Sequence, residues 1–220
     1  LLAIISSFYA IYHGSSGLTK IARRIVIFRR YLELCLGELG LRVKDGVRFD
    51  SFDIYCDKSS QIHQAALDNG FNLRILPLGA DIRNAKGFGI SIDELTDENE
   101  IFKILKFIGS VFDKEIDFKK IPIDYFFELD GLPIRDENFM NQYIFENYRS
   151  ETELMRYIFQ LCEKDFSLVD GMMPLGSCTM KLNAAAELNP ISWDKFSSIH
   201  PFAPKSQIKG YLNIIADLES

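Results

Sequence analysis

Cysteine, histidine and tryptophan are scarce in this sequence. The four Cys (Cys35, Cys56, Cys162, Cys178) stand far apart with no CxxC pair, and the three His (His13, His63, His200) are isolated. Zinc ligands come grouped at short spacing, so the pattern argues against a zinc site. A chain of 220 residues with four Cys has no need of a disulfide scaffold, and a reducing compartment fits it best. Positive charge is also short. There are 25 Lys+Arg against 31 Asp+Glu, a formal net charge of -6, and no basic stripe marks a nucleic-acid surface. No long apolar run is present. Leu1–Tyr12 is interrupted by Ser6 and Ser7 and falls short of the ~20 residues that a membrane span needs. It also lacks the basic start and small-residue cleavage site of a signal peptide. Internal repeats and low-complexity tracts are missing as well.

What remains is a core-forming chain. Apolar residues make up 47% and there are 18 Phe, which excludes dominant disorder and suits roughly one to two domains. The first residues, Leu1-Leu2-Ala3-Ile4-Ile5, read as a buried helix whose beginning is missing, stopping at His13-Gly14. At the other end, Ile208, Tyr211, Leu212, Ile215 and Leu218 share one helical face within 206–220. An internal piece of a larger protein is expected.

Ser15/Ser16 are placed to cap a helix running to about Leu39, closed by Gly40. Leu18, Ile21, Ile25, Phe28, Leu32, Cys35 and Leu39 alternate by three and four along it, the spacing of one apolar stripe. Lys20, Arg23, Arg24, Arg29 and Arg30 fall mostly off that stripe. They suit an anion-binding patch or, more simply, a solvated helix face.

Strand and helix signals then alternate. Phe52, Ile54 and Cys56 have the period of a half-buried strand. Residues 59–69 read as a short helix closed by Gly70. Residues 71–76 alternate again up to Pro77. Gly87–Asp93 offers a third strand, with Phe88, Ile90 and Ile92 on one face. Thr96 is placed to cap a helix through Ile108, with Gly109 as its stop and acidic residues in its first turn. The sum is an α+β unit over about 40–110, a small sheet covered by helices. Residues 111–149 have no sustained period and read as an ordered but irregular connector. Ser150-Glu151-Thr152-Glu153 is a capping box, and Leu154, Tyr157, Ile158 and Leu161 give the buried face of the helix that follows.

The chemistry concentrates in Met172–Asn183, where small polar residues and one Lys sit between apolar ones, as in a loop lining a buried polar pocket. Lys181 suits a Schiff base or an ordinary salt bridge. Cys178 suits a nucleophile, with His200 as its activator, or a buried inert thiol. Ser177 and Thr179 suit ligand hydrogen bonds or local backbone bonds. Arg74 suits a bidentate carboxylate contact or a structural ion pair. His13 and His63 read as structural. Gly87-Phe88-Gly89 lacks the third glycine and following helix of a dinucleotide fingerprint.

Four stretches go further. Residues 148–157, Glu163-Lys164-Asp165, the run from Met173 to Glu187 and His200-Pro201-Phe202 together resemble the P-protein family of the glycine cleavage system. So do Tyr9–Gly14 with Gly17-Leu18, Asn72-Leu73-Arg74 and Gly89–Glu94. The resemblance implies an α/β protein of the fold-type I pyridoxal-phosphate class, built from two homologous halves fused in one chain. It implies that residues 1–14 end the first large domain and 15–115 form the first small α+β domain. Residues 116–169 would then connect the halves, with a helix over 151–164, and 170–220 would open the second, catalytic half. The family decarboxylates glycine with pyridoxal 5'-phosphate and passes the aminomethyl group to the lipoyl arm of H-protein. In the family the cofactor lysine lies beyond residue 220, and Lys181 does not match its motif, so the isolated stretch is expected to be inactive. The residues implied to line the active site are Ser177, Cys178, Thr179, Lys181, Asn183 and His200. A homodimer in bacterial cytoplasm or the mitochondrial matrix is implied, with no membrane or nucleic-acid partner. The competing readings are a structural and interaction segment of the non-catalytic half, and another fold-type I enzyme such as an aminotransferase.

Overall fold

The computed structural model describes residues 2–116, 135, 137–166, 170–171 and 184–220. The chain divides into two compact units, Leu1–Leu154 and Met155–Ser220.

The first unit begins with helix α1 (Leu2–Glu38), which breaks at Gly14, where φ is 57° and ψ is -177°. That backbone conformation is open essentially to glycine alone. The break falls where the sequence places it, but the cap does not. Ser15 and Ser16 already lie inside the second arm, and the Ser16 hydroxyl instead accepts a hydrogen bond from Arg149 at 2.9 Å. The second arm buries Ile25, Phe28, Leu32 and Cys35 of the predicted stripe, and Leu39 just past its end, while Leu18 and Ile21 are only partly buried. The first arm is not the buried helix expected. Leu2, Ile4 and Ile5 are more than half exposed and Ile11 alone is buried among its large apolar side chains, because the described residues supply no surface to cover the rest.

Strand β1 (Ser51–Tyr55), helix α2 (Ser59–Asp68), strand β2 (Arg74–Leu76), strand β3 (Gly87–Ser91) and helix α3 (Glu98–Val111) complete the α+β unit. The sheet order is β1-β3-β2, with both outer strands antiparallel to β3. The β1–α2–β2 crossover thus leaves a gap that β3 fills, a split βαβ arrangement. Period-two alternation sorts the faces. Phe52, Ile54, Phe88 and Ile90 point into one core with α1, α2 and α3, while Ser51, Asp53, Tyr55, Arg74 and Ser91 lie on the opposite, partly solvated face. The Gly87-Phe88-Gly89 pair sits inside strand β3, not at a strand–helix turn.

Both ends of α3 differ from the sequence reading, by one residue at the cap and by three at the close. Asp97, not Thr96, caps α3. Its carboxylate accepts from the Glu100 amide at 2.8 Å, and the Glu100 side chain returns to the Asp97 amide. The Thr96 hydroxyl instead donates to Asp93. Gly109 does not stop the helix, which continues to Val111.

Of the connector, the described part contributes helix α4 (Ile144–Asn147), which packs against α1. Helix α5 (Glu151–Cys162) starts at the predicted cap, with the Glu153 amide donating to the Ser150 hydroxyl at 3.2 Å. Its apolar face is at most half-buried, contrary to expectation.

The second unit holds helices α6 (Ala185–Leu188), α7 (Asp194–Ser197) and α8 (Lys209–Glu219). An aromatic contact joins two of them: Phe196 and Tyr211 stack edge-on at 5.7 Å, and the Tyr211 hydroxyl donates to the Phe196 carbonyl. No side chain of this unit is buried among the described residues. The face of α8 reading Leu212, Ile215 and Leu218 is exposed, since helices of four residues cannot cover it. Among the described residues no helix is long and apolar enough to cross a membrane.

Candidate functional site

Ser177, Cys178, Thr179, Lys181 and Asn183 lie outside the described residues. His200 is described and exposed, and it closes its own turn: Nδ1 accepts from the Phe202 amide at 3.1 Å, with the two rings 5.7 Å apart. His63 is a core residue. Its Nε2 lies 3.1 Å from the Gly87 carbonyl, and burial pushes its pKa below the ordinary value despite that bond. His13 packs between the rings of Tyr9 and Tyr12. Cys35 is a buried thiol whose pKa is raised by burial, with Tyr31 opposing through a hydrogen bond. Such a thiol is unreactive.

Arg74 takes the structural role. It pairs with Asp53 across the open face of the sheet, above Gly89. Asp53 and Arg74 are each in register with Gly89, one from either outer strand. The missing side chain leaves the space in which the ion pair lies.

The most distinctive charge arrangement surrounds Glu33. Arg29 is buried on α1, not solvated as its off-stripe position suggests. Its guanidinium donates to the Phe49 carbonyl at 3.0 Å and to Glu33 Oε2 at 2.8 Å. Arg48 reaches Glu33 Oε1 at 3.2 Å and also donates to the Lys44 carbonyl. One carboxylate is therefore shared by two guanidinium groups, with side chains 7%, 17% and 19% exposed for Arg29, Glu33 and Arg48. The cluster forms one wall of a cavity of about 480 Å³ between the C-terminal half of α1 and the loop over 41–48, with Arg30, Arg42 and Asp45 also lining it. A smaller cavity of about 210 Å³ adjoins it along the sheet face and reaches Asp53 and Arg74.

The sequence reading groups Arg29 and Arg30 with Lys20, Arg23 and Arg24. The structure separates them: Arg24 turns to the Thr96 carbonyl and stacks over Phe28, while Arg29 and Arg30 face the cavity. Arg48 has no motif around it. Only the return of the loop 41–50 onto α1 marks it, and that is a long-range contact.

Comparison with known proteins gives a consistent result. The family described as Glycine cleavage system P-protein matches residues 1–108. A Glycine dehydrogenase (decarboxylating) of Prochlorococcus marinus is 51% identical over the whole chain. Proteins of the same name are 47% identical in Parasynechococcus marenigrum and 40% identical in Vibrio parahaemolyticus, again over the whole chain. The chain spans only 23% of the first two of these relatives and 22% of the third.

Proposed function

We propose that the chain belongs to the glycine cleavage system P-protein family and is the stretch of a decarboxylating glycine dehydrogenase that joins two homologous halves. In this reading residues 1–14 end the first large domain and 15–115 are the first small domain. Residues 116–169 connect the halves, and 170–220 open the catalytic half, each half being of fold-type I. The observation that carries the reading is identity of 51% across all 220 residues to a relative more than four times as long.

The whole protein would decarboxylate glycine and hand the aminomethyl group to lipoylated H-protein. Pyridoxal 5'-phosphate supplies the electron sink for loss of CO2. The described residues do not fit that cofactor. Lys44 is the one lysine lining these two cavities, and it is exposed on a loop. The family resemblance, not these cavities, implies that the cofactor lysine lies beyond residue 220, and on that reading the 220-residue chain alone is expected to be inactive. Ser177, Thr179, Lys181 and Asn183 carry hydroxyl, ammonium and amide donors suited to a carboxylate or phosphate. Cys178 and His200 belong to the same proposed lining, with His200 the weaker member because its Nδ1 is already engaged by Phe202. The named relatives are bacterial, which favours a bacterial cytoplasm, and the homodimer is what the family resemblance implies.

The test is substitution in a chain of the relatives' full length. Ser177→Ala and Lys181→Ala each remove one donor and are expected to lower glycine turnover roughly 10- to 100-fold, the value of a charge-assisted hydrogen bond. Assembly, followed by size-exclusion chromatography, stays intact. Unchanged turnover with lost assembly would instead make the segment purely structural.

A further inference from the structure

We propose that Gly14 is a hinge within α1 and that Arg149, arriving from beyond α4, is the latch that holds it bent. The inference concerns the mechanics of this chain and does not depend on the family reading.

Within the 37 residues of α1, Gly14 alone leaves the helical region, at φ 57° and ψ -177°. Two stiff arms, 2–13 and 15–38, thus meet at one residue. Glycine populates both signs of φ with similar ease, so a regular helical conformation at Gly14 is open as well. In that second state the arms run on as one straight helix. The first arm is about 18 Å long at 1.5 Å per residue. A rotation at Gly14 is therefore amplified at its tip, where Leu2, Ile4 and Ile5 are exposed.

The contacts that select the bent state come from the connector. Nε and Nη2 of Arg149 both donate to the Phe145 carbonyl, at 3.2 and 2.9 Å. Nη1 donates at 2.9 Å to the hydroxyl of Ser16, in the first turn of the second arm. One rigid guanidinium plane therefore ties α4 to the start of that arm. A Cβ on Gly14 would fall 2.4 Å from the Phe145 carbonyl and 2.5 Å from the Arg149 guanidinium, so both groups rest against the break itself. Returning Gly14 to helical angles re-aims one arm against the other and removes the surface on which they rest. Helix α4 has only four residues and no stability of its own, so it needs such bonds to stay in place. Arg149 and Ser16 are both exposed. Water competes for their bond, which makes this a latch that can release.

Pulsed electron–electron resonance between two spin labels tests this in the 220-residue chain. The labels are carried on a ketone-bearing unnatural amino acid at the positions of Ser6 and Lys20, both exposed, which leaves the cysteines untouched. The parent is expected to give one short separation. Arg149→Met removes all three bonds and should populate longer separations, toward the roughly 21 Å that this span rises in a continuous helix. The ratio of long to short should rise about 10- to 100-fold. Arg149→Lys keeps the charge but cannot fork between two acceptors, and Ser16→Ala removes one acceptor. Each should raise the ratio about 2- to 10-fold, and these milder variants carry the test if circular dichroism shows Arg149→Met unfolded. An unchanged short separation in every folded variant overturns the proposal, since packing alone would then hold the bend. So does a long separation in the parent, which would mean that nothing latches Gly14.

Discussion

Asp53 and Arg74 stand on strands β1 and β2, which are not neighbours, yet their side chains meet in an ion pair above Gly89 of the strand between them. A Cβ on Gly89 would fall 2.6 Å from Arg74 and 2.7 Å from Asp53. The glycine is the floor on which the pair rests.

Gly89→Ala should therefore break the pair but cost little. Both side chains are about two-fifths exposed, and such a pair contributes at most about 1 kcal/mol. Alanine restores roughly 0.5–1 kcal/mol of backbone entropy relative to glycine in a strand. The net change in unfolding free energy is expected within about 1 kcal/mol of zero. A double-mutant cycle of Asp53→Ala and Arg74→Ala should lose its coupling energy in the Gly89→Ala background.

Gly14→Ala is expected to behave differently. The residue holds a backbone conformation open essentially to glycine, and an added Cβ would overlap the Phe145 carbonyl and the Arg149 guanidinium. Forcing a side chain there costs on the order of 1–3 kcal/mol before any overlap is relieved. A urea midpoint that falls clearly further than in Gly89→Ala would bear this out; equal midpoints would contradict it.

Acid should weaken the fold through His63. Burial holds its pKa below the ordinary value of 6.5, so the unfolded chain takes up a proton that the folded chain resists. The neutral imidazole's contribution is present above about pH 6.5 and is lost as pH falls below it. His63→Gln keeps a donor for the Gly87 carbonyl but does not titrate. Urea midpoints measured from pH 7 to pH 5, an interval spanning the ordinary histidine pKa, should fall less steeply in this variant than in the parent.

The sequence carries the local structure of the first unit well. Alternation at Phe52/Ile54 and Phe88/Ile90 yields two strands with their buried faces, and Gly14 marks the helix break. Long-range relationships are illegible there. Burial of Arg29 depends on Phe49, 20 residues away, and Gly89 acquires its meaning only when β3 enters between β1 and β2. Apolar content marks the first arm of α1 and periodicity marks one face of α8, but neither can supply the surfaces that would cover them. The polar run over 172–183 is legible only by composition and family resemblance, and its geometry lies outside the described residues.

The most direct test of the account is exchange of labelled bicarbonate into the carboxyl group of glycine, with lipoylated H-protein and pyridoxal phosphate added. The 220-residue chain is assayed beside a chain extended to the length of its relatives. Exchange in the extended chain alone is the predicted result. Exchange in the 220-residue chain would contradict the assignment of the cofactor lysine beyond residue 220 and turn attention to Lys181. No exchange in either would contradict the assignment of glycine decarboxylation.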